Sequence, residues 1–553
     1  MAASERNTST MLAHCEEKGW YFAVHGGISG PFRLTFTAGQ ATSLDLQNLA
    51  SKLAVSRDIL PKAISEEIRR EITMAELSQI LATTVKADEA AKITTFLNML
   101  LAQTHEDMFN VGFQGVSTTG KSYIPLEIAS YFPEDERREY SHASPQSVYH
   151  EATDWRPIQE VAKELDLRGI FDADELANPN IRVHVLDFEH KIIIFVDQPN
   201  WQLTENLRSF LSHDRKVLRV GITDKSRGGS LRTKVIVVKG FAAVFFSSAS
   251  SSQDEQEKTR TWIFFPDPRS EKIDEAMKLL ARKVANRKEF RQWLSSHPPR
   301  SWLIERVKQI RQEGVRNVNI PEPEKVLERF KAGRRLQPRL QRDLPRFLCL
   351  IKAFALLNCF HRTRTDTDTI VADDKDVDAA FQLYEKFAMP NELGLSAQSW
   401  WVYQLLLGMP EAQTIGVGRG DILRRYLTAY GTPLSPDRLR RQILPELESA
   451  GVIEQKPNLE DNRESLVFLS PLAPPISGSN GNTGRMGDPI EQMVQAGINR
   501  LEATGGAPLS EFTRAVGRKT VETMAKRGLI WIIRPAMDQT QASVILREAH
   551  KED

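Results

Sequence analysis

Apolar residues along this chain gather in short unbroken runs, separated by stretches with helical spacing. Four runs stand out: Met108 to Phe113, Lys191 to Asp197, Gly240 to Phe246, and the run that follows Arg260 through Phe265. Polar residues or glycines bound each of them, as expected of strands buried on both faces, and the intervals between them read as helices. This alternation predicts an α/β sheet over 76–270. An earlier unit, 1–75, carries two strand-like runs, Trp20 to Val24 and Phe32 to Phe36, around Gly26, Gly27 and Gly30. They read as a hairpin, followed by a helical stretch from Asp45 to Ile72. Glu76 to Gln103 reads as a helical lead-in to the first buried strand.

Residues 271–390 are almost wholly helical in pattern. In 391–470, three helical stretches (Ala397 to Leu407, Asp421 to Tyr430, Pro436 to Ala450) precede strand-like runs at Gly451 to Ile453 and Ser465 to Leu469. That order predicts a winged helix, with Arg438, Arg440 and Arg441 on its third helix. Residues 471–487, rich in Pro, Gly, Ser and Asn, read as a flexible linker. The segment 488–553 reads as a small C-terminal domain with helix, helix and strand signals, and Arg518, Lys519, Lys526 and Arg527 make it locally basic.

Composition narrows the picture only a little. The chain has 553 residues, 41% of them hydrophobic and 26% charged, with a formal net charge of +1. No global basic field argues for nucleic acid, so any such case must rest on local clusters. Cys15, Cys349 and Cys359 show no paired spacing, which points to neither a zinc site nor a disulfide framework. With no apolar run of about 18 residues and no signal peptide, the expectation is a cytoplasmic protein without a membrane partner.

The chemistry concentrates after the first buried strand. Gly115, Val116, Ser117, Thr118, Thr119, Gly120, Lys121 and Ser122 have the spacing Gly, four residues, Gly, Lys, Ser, and Tyr123 to Tyr131 can continue as a helix. Strand, glycine loop and helix together make a phosphate cradle of backbone N–H groups. Lys121 would reach the β/γ oxygens of ATP, and Ser122 would hold Mg²⁺. A second Mg²⁺ ligand is expected at the end of another apolar strand, and Asp197 stands there. Gln198 follows, able to orient water but poor as a base. The strand 240–246 ends in Ser247 and Ser248, and Ser248 is the candidate contact to the γ-phosphate or the lytic water. A pair of hydroxyls satisfying local backbone is the competing reading.

The order of GVSTTGKS (115–122), IIIFVDQ (192–198), a basic hairpin, VFFSSAS (244–250), Arg260 and a helical lid resembles the AAA+ ATPases. Within them it is similar to the clade with a hairpin before the third strand, which includes the MCM helicases and the MCM-like modules of mobile-element replication proteins. The resemblance covers about 105–390 and the unit after it. It implies an AAA+ P-loop core, a helical lid, a winged-helix domain and a small C-terminal α/β or winged-helix-like domain. Arg260 would be the residue that reaches a neighbouring subunit's γ-phosphate, and Arg342 or Arg346 in the lid a second phosphate sensor. Three departures stand out: Gln198 replaces the family's catalytic Glu, Ser replaces Asn at the first sensor, and the N-terminal unit is too short for the full MCM collar.

Local charge supplies the nucleic-acid case. Arg215, Lys216, Arg219, Lys225, Arg227, Arg232, Lys234 and Lys239 lie close together with only Asp224 opposing them. Strand, Gly228-Gly229 turn and strand would project Lys225, Arg227, Arg232 and Lys234 toward phosphates, and Arg438 and Arg441 offer a second contact. The bland alternative is an edge hairpin protected by charge. The expected function, by the resemblance, is therefore a ring-forming, hexameric, ATP-driven helicase on single-stranded or forked DNA, acting in the replication of a mobile element, phage or plasmid, with replication proteins as partners. An ATP-switched initiator or loader, a protein-remodelling or defence ATPase, and a signalling NTPase compete with it.

Overall fold

The computed structural model describes residues 9–15, 20–25, 33–36, 68–116, 118–141, 147–152, 154–197, 215–224, 232–248, 260–334, 336–458, 465–470, 507–508, 521, 530–533 and 543–546. The chain divides into two compact units, Met1–Glu392 and Leu393–Asp553.

In the first unit, β1 (Ser9–Cys15), β2 (Trp20–His25) and β3 (Arg33–Phe36) form an antiparallel sheet. The expected hairpin is β2–β3; β1 is an additional strand. The predicted helix from Asp45 to Ile72 lies almost wholly outside the described residues.

The centre is a five-stranded parallel sheet made of β4 (Asn110–Gln114), β5 (Arg137–Tyr140), and, after β6 (Asp154–Pro157) and β7 (Arg182–Asp187), β8 (Lys191–Phe195). Beyond β9 (Val217–Asp224) and β10 (Arg232–Lys239) it is completed by β11 (Ala242–Ser248) and β12 (Thr261–Phe264). The strand order is β12-β4-β11-β8-β5, with every neighbouring pair parallel. The fold is thus mixed α/β around a parallel sheet.

Alternation along the strands explains why both faces are covered. Val111, Phe113, Ile192, Ile194, Ala243 and Phe245 join one core cluster, and Ile193, Phe195, Ala242, Val244 and Phe246 join another. Against the first face lies the helix Glu89–Leu101, buried nearly all round because it sits between the sheet and further helices. Its Asn98 satisfies both backbone groups of Phe109 at the entry to β4, at 2.6 and 3.0 Å. The helices Pro298–Gln312, Leu340–Leu357 and Asp374–Glu385 contribute to the same cluster. The segment expected as a lid over 271–390 therefore shares its core with the sheet from about residue 302 onward.

The second face carries a smaller mixed sheet in the order β6-β7-β10-β9. β9 and β10 are the expected hairpin, paired from Val217↔Lys239 to Asp224↔Arg232; its tip, 225–231, lies outside the described residues. The chain crosses from this sheet to the central one twice, side by side, at 188–190 and at 240–241. At the crossing the Phe188 N–H donates to the Lys239 carbonyl at 2.9 Å. Gly240 has φ +78°, and a Cβ there would stand 2.3 Å from Glu189 Cγ, so the corner requires glycine.

One helix departs from the core-facing rule. Ser270–Ala285 buries none of its residues, and Ile273, Met277, Leu280 and Val284 are exposed along one stripe. Among the described residues, no helix is long and apolar enough to cross a membrane.

In the second unit the helices Ala397–Leu407 and Arg419–Tyr430 and the helical stretch 436–449 accompany a three-stranded antiparallel sheet. Its strands are β15 (Val417–Gly418), β16 (Ile453–Pro457) and β17 (Ser465–Leu469), after β13 (Asn317–Asn319) and β14 (Thr369–Val371) of the first unit, and their order is β15-β17-β16. Near the C-terminus, Ala507–Pro508, Ile530–Ile533 and Ser543–Leu546 form another antiparallel sheet.

Candidate functional site

β4 delivers the glycine loop to the C-terminal edge of the parallel sheet. Thr118 (φ +72°) and Gly120 (φ +94°) take left-handed backbone conformations that turn the loop back on itself, and Tyr123–Ala129 continues as a helix. Lys121 Nζ donates to the carbonyls of Gly115 (3.0 Å) and Val116 (2.7 Å), and Thr119 Oγ1 donates to Val116 at 2.9 Å. Partial burial pushes the Lys121 ammonium below its ordinary range. Ser117 lies outside the described residues.

Three strand ends line up beside this loop. Register pairs Ser248 with Gln114 and Phe246 with Phe195, and Asp197 follows two residues past the end of β8. The Ser122 hydroxyl closes the gap between loop and β8 by donating to the Val196 carbonyl at 3.0 Å. Ser122 is thereby bonded to the residue before Asp197, the other expected Mg²⁺ ligand, and Asp197 is exposed. Among the described residues no cluster of three His, Cys, Asp or Glu side chains could hold a metal by itself. A single carboxylate plus a hydroxyl fits Mg²⁺, which keeps waters and takes its remaining oxygens from phosphates. Gln198 and the Ser248 side chain are outside the described residues. The neighbouring Ser247 is buried, and its Oγ has no hydrogen-bond partner among the described residues.

The structure adds two residues that the motif does not contain. Lys272, near the start of the helix Ser270–Ala285, donates from Nζ to the Thr119 carbonyl at 3.0 Å and is ion-paired with Asp88. Both side chains are nearly buried, and Asp88 also accepts from the Asp267 N–H at 2.7 Å. Burial drives the Asp88 carboxyl above its ordinary range, and Lys272 opposes that shift. The loop is thus tied to the segment following β12 through Lys272, and Asp88, the residue preceding the helix Glu89–Leu101, holds that lysine and that segment in place. The P-loop helix is held separately, through Arg300, which reaches Ser130 Oγ at 2.7 Å and Glu127 at 3.4 Å.

The candidate arginines divide by position. Arg260 immediately precedes β12, where Thr261 is in register with Asn110 at the opposite edge of the sheet from the glycine loop. The five residues of β4 separate those levels, roughly 17 Å at ~3.3 Å per residue, too far for its own loop. Arg346 is buried, ion-paired with Asp343 at 3.0 Å, and burial lowers its guanidinium to about 10. Asp343 also accepts from the Trp262 indole N–H at 2.9 Å and pairs with Arg339 at 3.2 Å. Arg346 therefore belongs to a buried network between helix and sheet. Arg342, one helical turn earlier, is exposed.

Among the expected DNA contacts, Lys225 and Arg227 lie outside the described residues, and Arg232 begins β10. Lys234 Nζ donates to the Ala152 carbonyl at 3.0 Å. In the second unit Arg438 and Arg441 are exposed, Arg441 in an ion pair with Asp437 at 2.7 Å. The two cysteines of the described core are free, and burial raises both thiols to about 12. The chain matches no protein-family model and no curated protein.

Proposed function

We propose that this chain is an ATP-hydrolysing AAA+ motor that assembles into a ring and acts on DNA as an MCM-like helicase in the replication of a mobile element, phage or plasmid. The observation that carries the reading is the bond from Ser122 Oγ to the Val196 carbonyl, which joins the glycine loop to the strand ending in Asp197. Strand order supports it: β11, with its terminal serines, lies between the P-loop strand and the Asp197 strand, as an AAA+ core requires. Lys121 would stabilise charge on the β/γ oxygens, while Ser122 and Asp197 would hold Mg²⁺ to neutralise the same phosphates. On this reading the helices and antiparallel strands of 397–469 would make the winged helix, and β9–β10, which falls between the Asp197 strand and β11 in the chain, would be the clade's hairpin.

A second reading rests on one residue. Gln198 occupies the position of the catalytic base, so an initiator or loader that uses ATP as an assembly switch is the alternative.

The test is ATP turnover with and without DNA. Lys121→Ala and Asp197→Asn should each lower turnover by about a hundredfold or more, the scale seen when one charge-stabilising group is removed. Wild-type rates in both variants would refute the ATP site. Stimulation of turnover by DNA without displacement of a forked strand would favour the loader over the helicase.

A further inference from the structure

The sheet β6-β7-β10-β9 is covered on one face by the helix Ile158–Glu164 and Phe171, while the other packs on the central sheet through Leu186, Ile222, Ile236 and Val238 and is exposed at Trp155 on the edge strand, and the two treat their cations differently. On the covered face, Val183, Val185 and Val237 pack with Ile158, Val161 and Phe171. Its cations there are neutralised: Arg156 by Asp154 (2.9 Å) and Glu164 (2.7 Å), Arg219 by Glu175 (2.9 Å), and Lys239 by Asp187 (2.9 Å).

The alternate positions form the other face. Register places Trp155 opposite His184, and His184 opposite Ile236; Arg182 and Lys234 follow two residues along in the same alternation. Trp155 is 54% exposed on the edge strand, while Trp262, Trp302 and Trp401 are buried. Its ring stacks near that of His184 (centroids 6.2 Å, 23°), and the Arg182 guanidinium lies 4.3 Å from the ring centroid. Arg182 Nη2 also donates to the Trp155 carbonyl at 3.0 Å, which fixes the pair. Arg182 and Lys234 bond to backbone carbonyls and have no carboxylate partner among the described residues.

We infer that Trp155, with Arg182 beside it, is a stacking platform for a base of single-stranded nucleic acid, and that Lys234 lies along the path of the adjoining phosphates. This rests on the DNA reading of the β9–β10 hairpin, and it extends that site across the sheet to β6. A held aromatic ring on the edge strand, beside cations that have no carboxylate partner among the described residues, suits a ligand with alternating π faces and phosphates. A protein contact would need no such separation of paired from unpaired cations. The aromatic adds what the hairpin lacks, since its basic residues can follow a backbone but offer no surface for a base.

The experiment uses the full chain, oligo(dT) of 20 nucleotides, and an abasic deoxyribose-phosphate oligomer of equal length. Trp155→Ala should weaken oligo(dT) binding about tenfold or more, without changing the salt slope, because stacking neutralises no phosphate. Binding of the abasic oligomer should be the same in variant and wild type. Trp155→Phe should recover part of the loss, and its melting curve guards against a folding defect. It should also lack the tryptophan quenching that oligo(dT) produces in the wild type. Equal oligo(dT) affinity in Trp155→Ala and wild type overturns the inference and marks the indole as a protein contact. An equal loss on the abasic oligomer overturns it too, by showing a backbone effect. A wild type that binds neither oligomer sinks the DNA reading itself, and this inference with it.

Discussion

Single residues carry the glycine loop, and only some of them announce themselves. Gly115, Gly120, Lys121 and Ser122 were legible because their spacing is local and each has a backbone or phosphate task. Lys272 and Asp88 were not, since one follows β12, the other precedes the helix Glu89–Leu101, and neither sits in a recognisable motif. Their link to the loop is nonetheless direct: ammonium to the Thr119 carbonyl, carboxylate to the ammonium. Lys272→Met should leave Asp88 buried without its cation, at a cost of about 3–5 kcal/mol in unfolding free energy. Adding Asp88→Asn should recover most of that loss, because no buried charge then remains. Nucleotide affinity should stay weakened in both, since the Thr119 tether is gone from each. Denaturant melts and ADP titrations read the two effects apart, and full nucleotide affinity in the double variant would show that the pair only stabilises the fold. Arg346 gives the opposite lesson. Its place in the lid suggests a phosphate sensor, yet Asp343, one turn earlier in the same helix, pairs with it in the interior, and Asp343 is itself held by the Trp262 indole N–H of β12, which becomes a neighbour only through tertiary packing.

At the scale of elements, long apolar runs were the readable part. β4, β8 and β11 appear within a residue or two of their expected ends, because a strand buried on both faces has little freedom in composition. β6 was not foreseen: its four residues, Asp154–Pro157, include a proline and two charges, and only pairing with β7 makes them a strand. The hairpin was foreseen as a hairpin, though not as part of a four-stranded sheet. In that sheet β10 is paired on both sides, with β7 and β9, and the chain continues from it through Gly240 into β11. Force or displacement at the tip would thus reach the strand whose end carries Ser247 and Ser248. Replacing Lys225, Arg227 and Arg232 with Ala removes three candidate phosphate contacts. DNA affinity should fall, its log–log salt slope should drop by roughly two to three units, and DNA stimulation of ATP turnover should disappear. An unchanged slope, measured by fluorescence anisotropy at several salt concentrations, would mean that the hairpin is only a charged edge. Arg438 and Arg441 would then become the leading contacts.

For the whole molecule, the parallel sheet has two edges and the proposed chemistry needs both. The loop, Asp197 and the serines lie at the C-terminal edge, whereas Arg260 lies at the other, about a strand's length away. Within one subunit Arg260 cannot complete the site that Lys121 begins. If it acts in hydrolysis, it acts on a neighbour, and that requirement turns strand geometry into a statement about assembly. Arg260→Ala should hydrolyse ATP poorly, as an arginine finger supplied in trans is worth about 10³–10⁵ in rate in related chemistry. Lys121→Ala should also be inactive, but for lack of the other half. Mixed in equal amounts, the two proteins place an intact loop beside an intact Arg260 at some interfaces, so turnover should reappear above that of either alone. The recovery should depend on protein concentration, because it needs contact between subunits. Should Arg260→Ala alone turn over ATP at the wild-type rate, the residue has a structural task at the start of β12. Should the mixture stay inactive while both proteins assemble, the site is completed by some other group, with Arg342, exposed one turn before the buried Arg346, the next arginine to test in the same way.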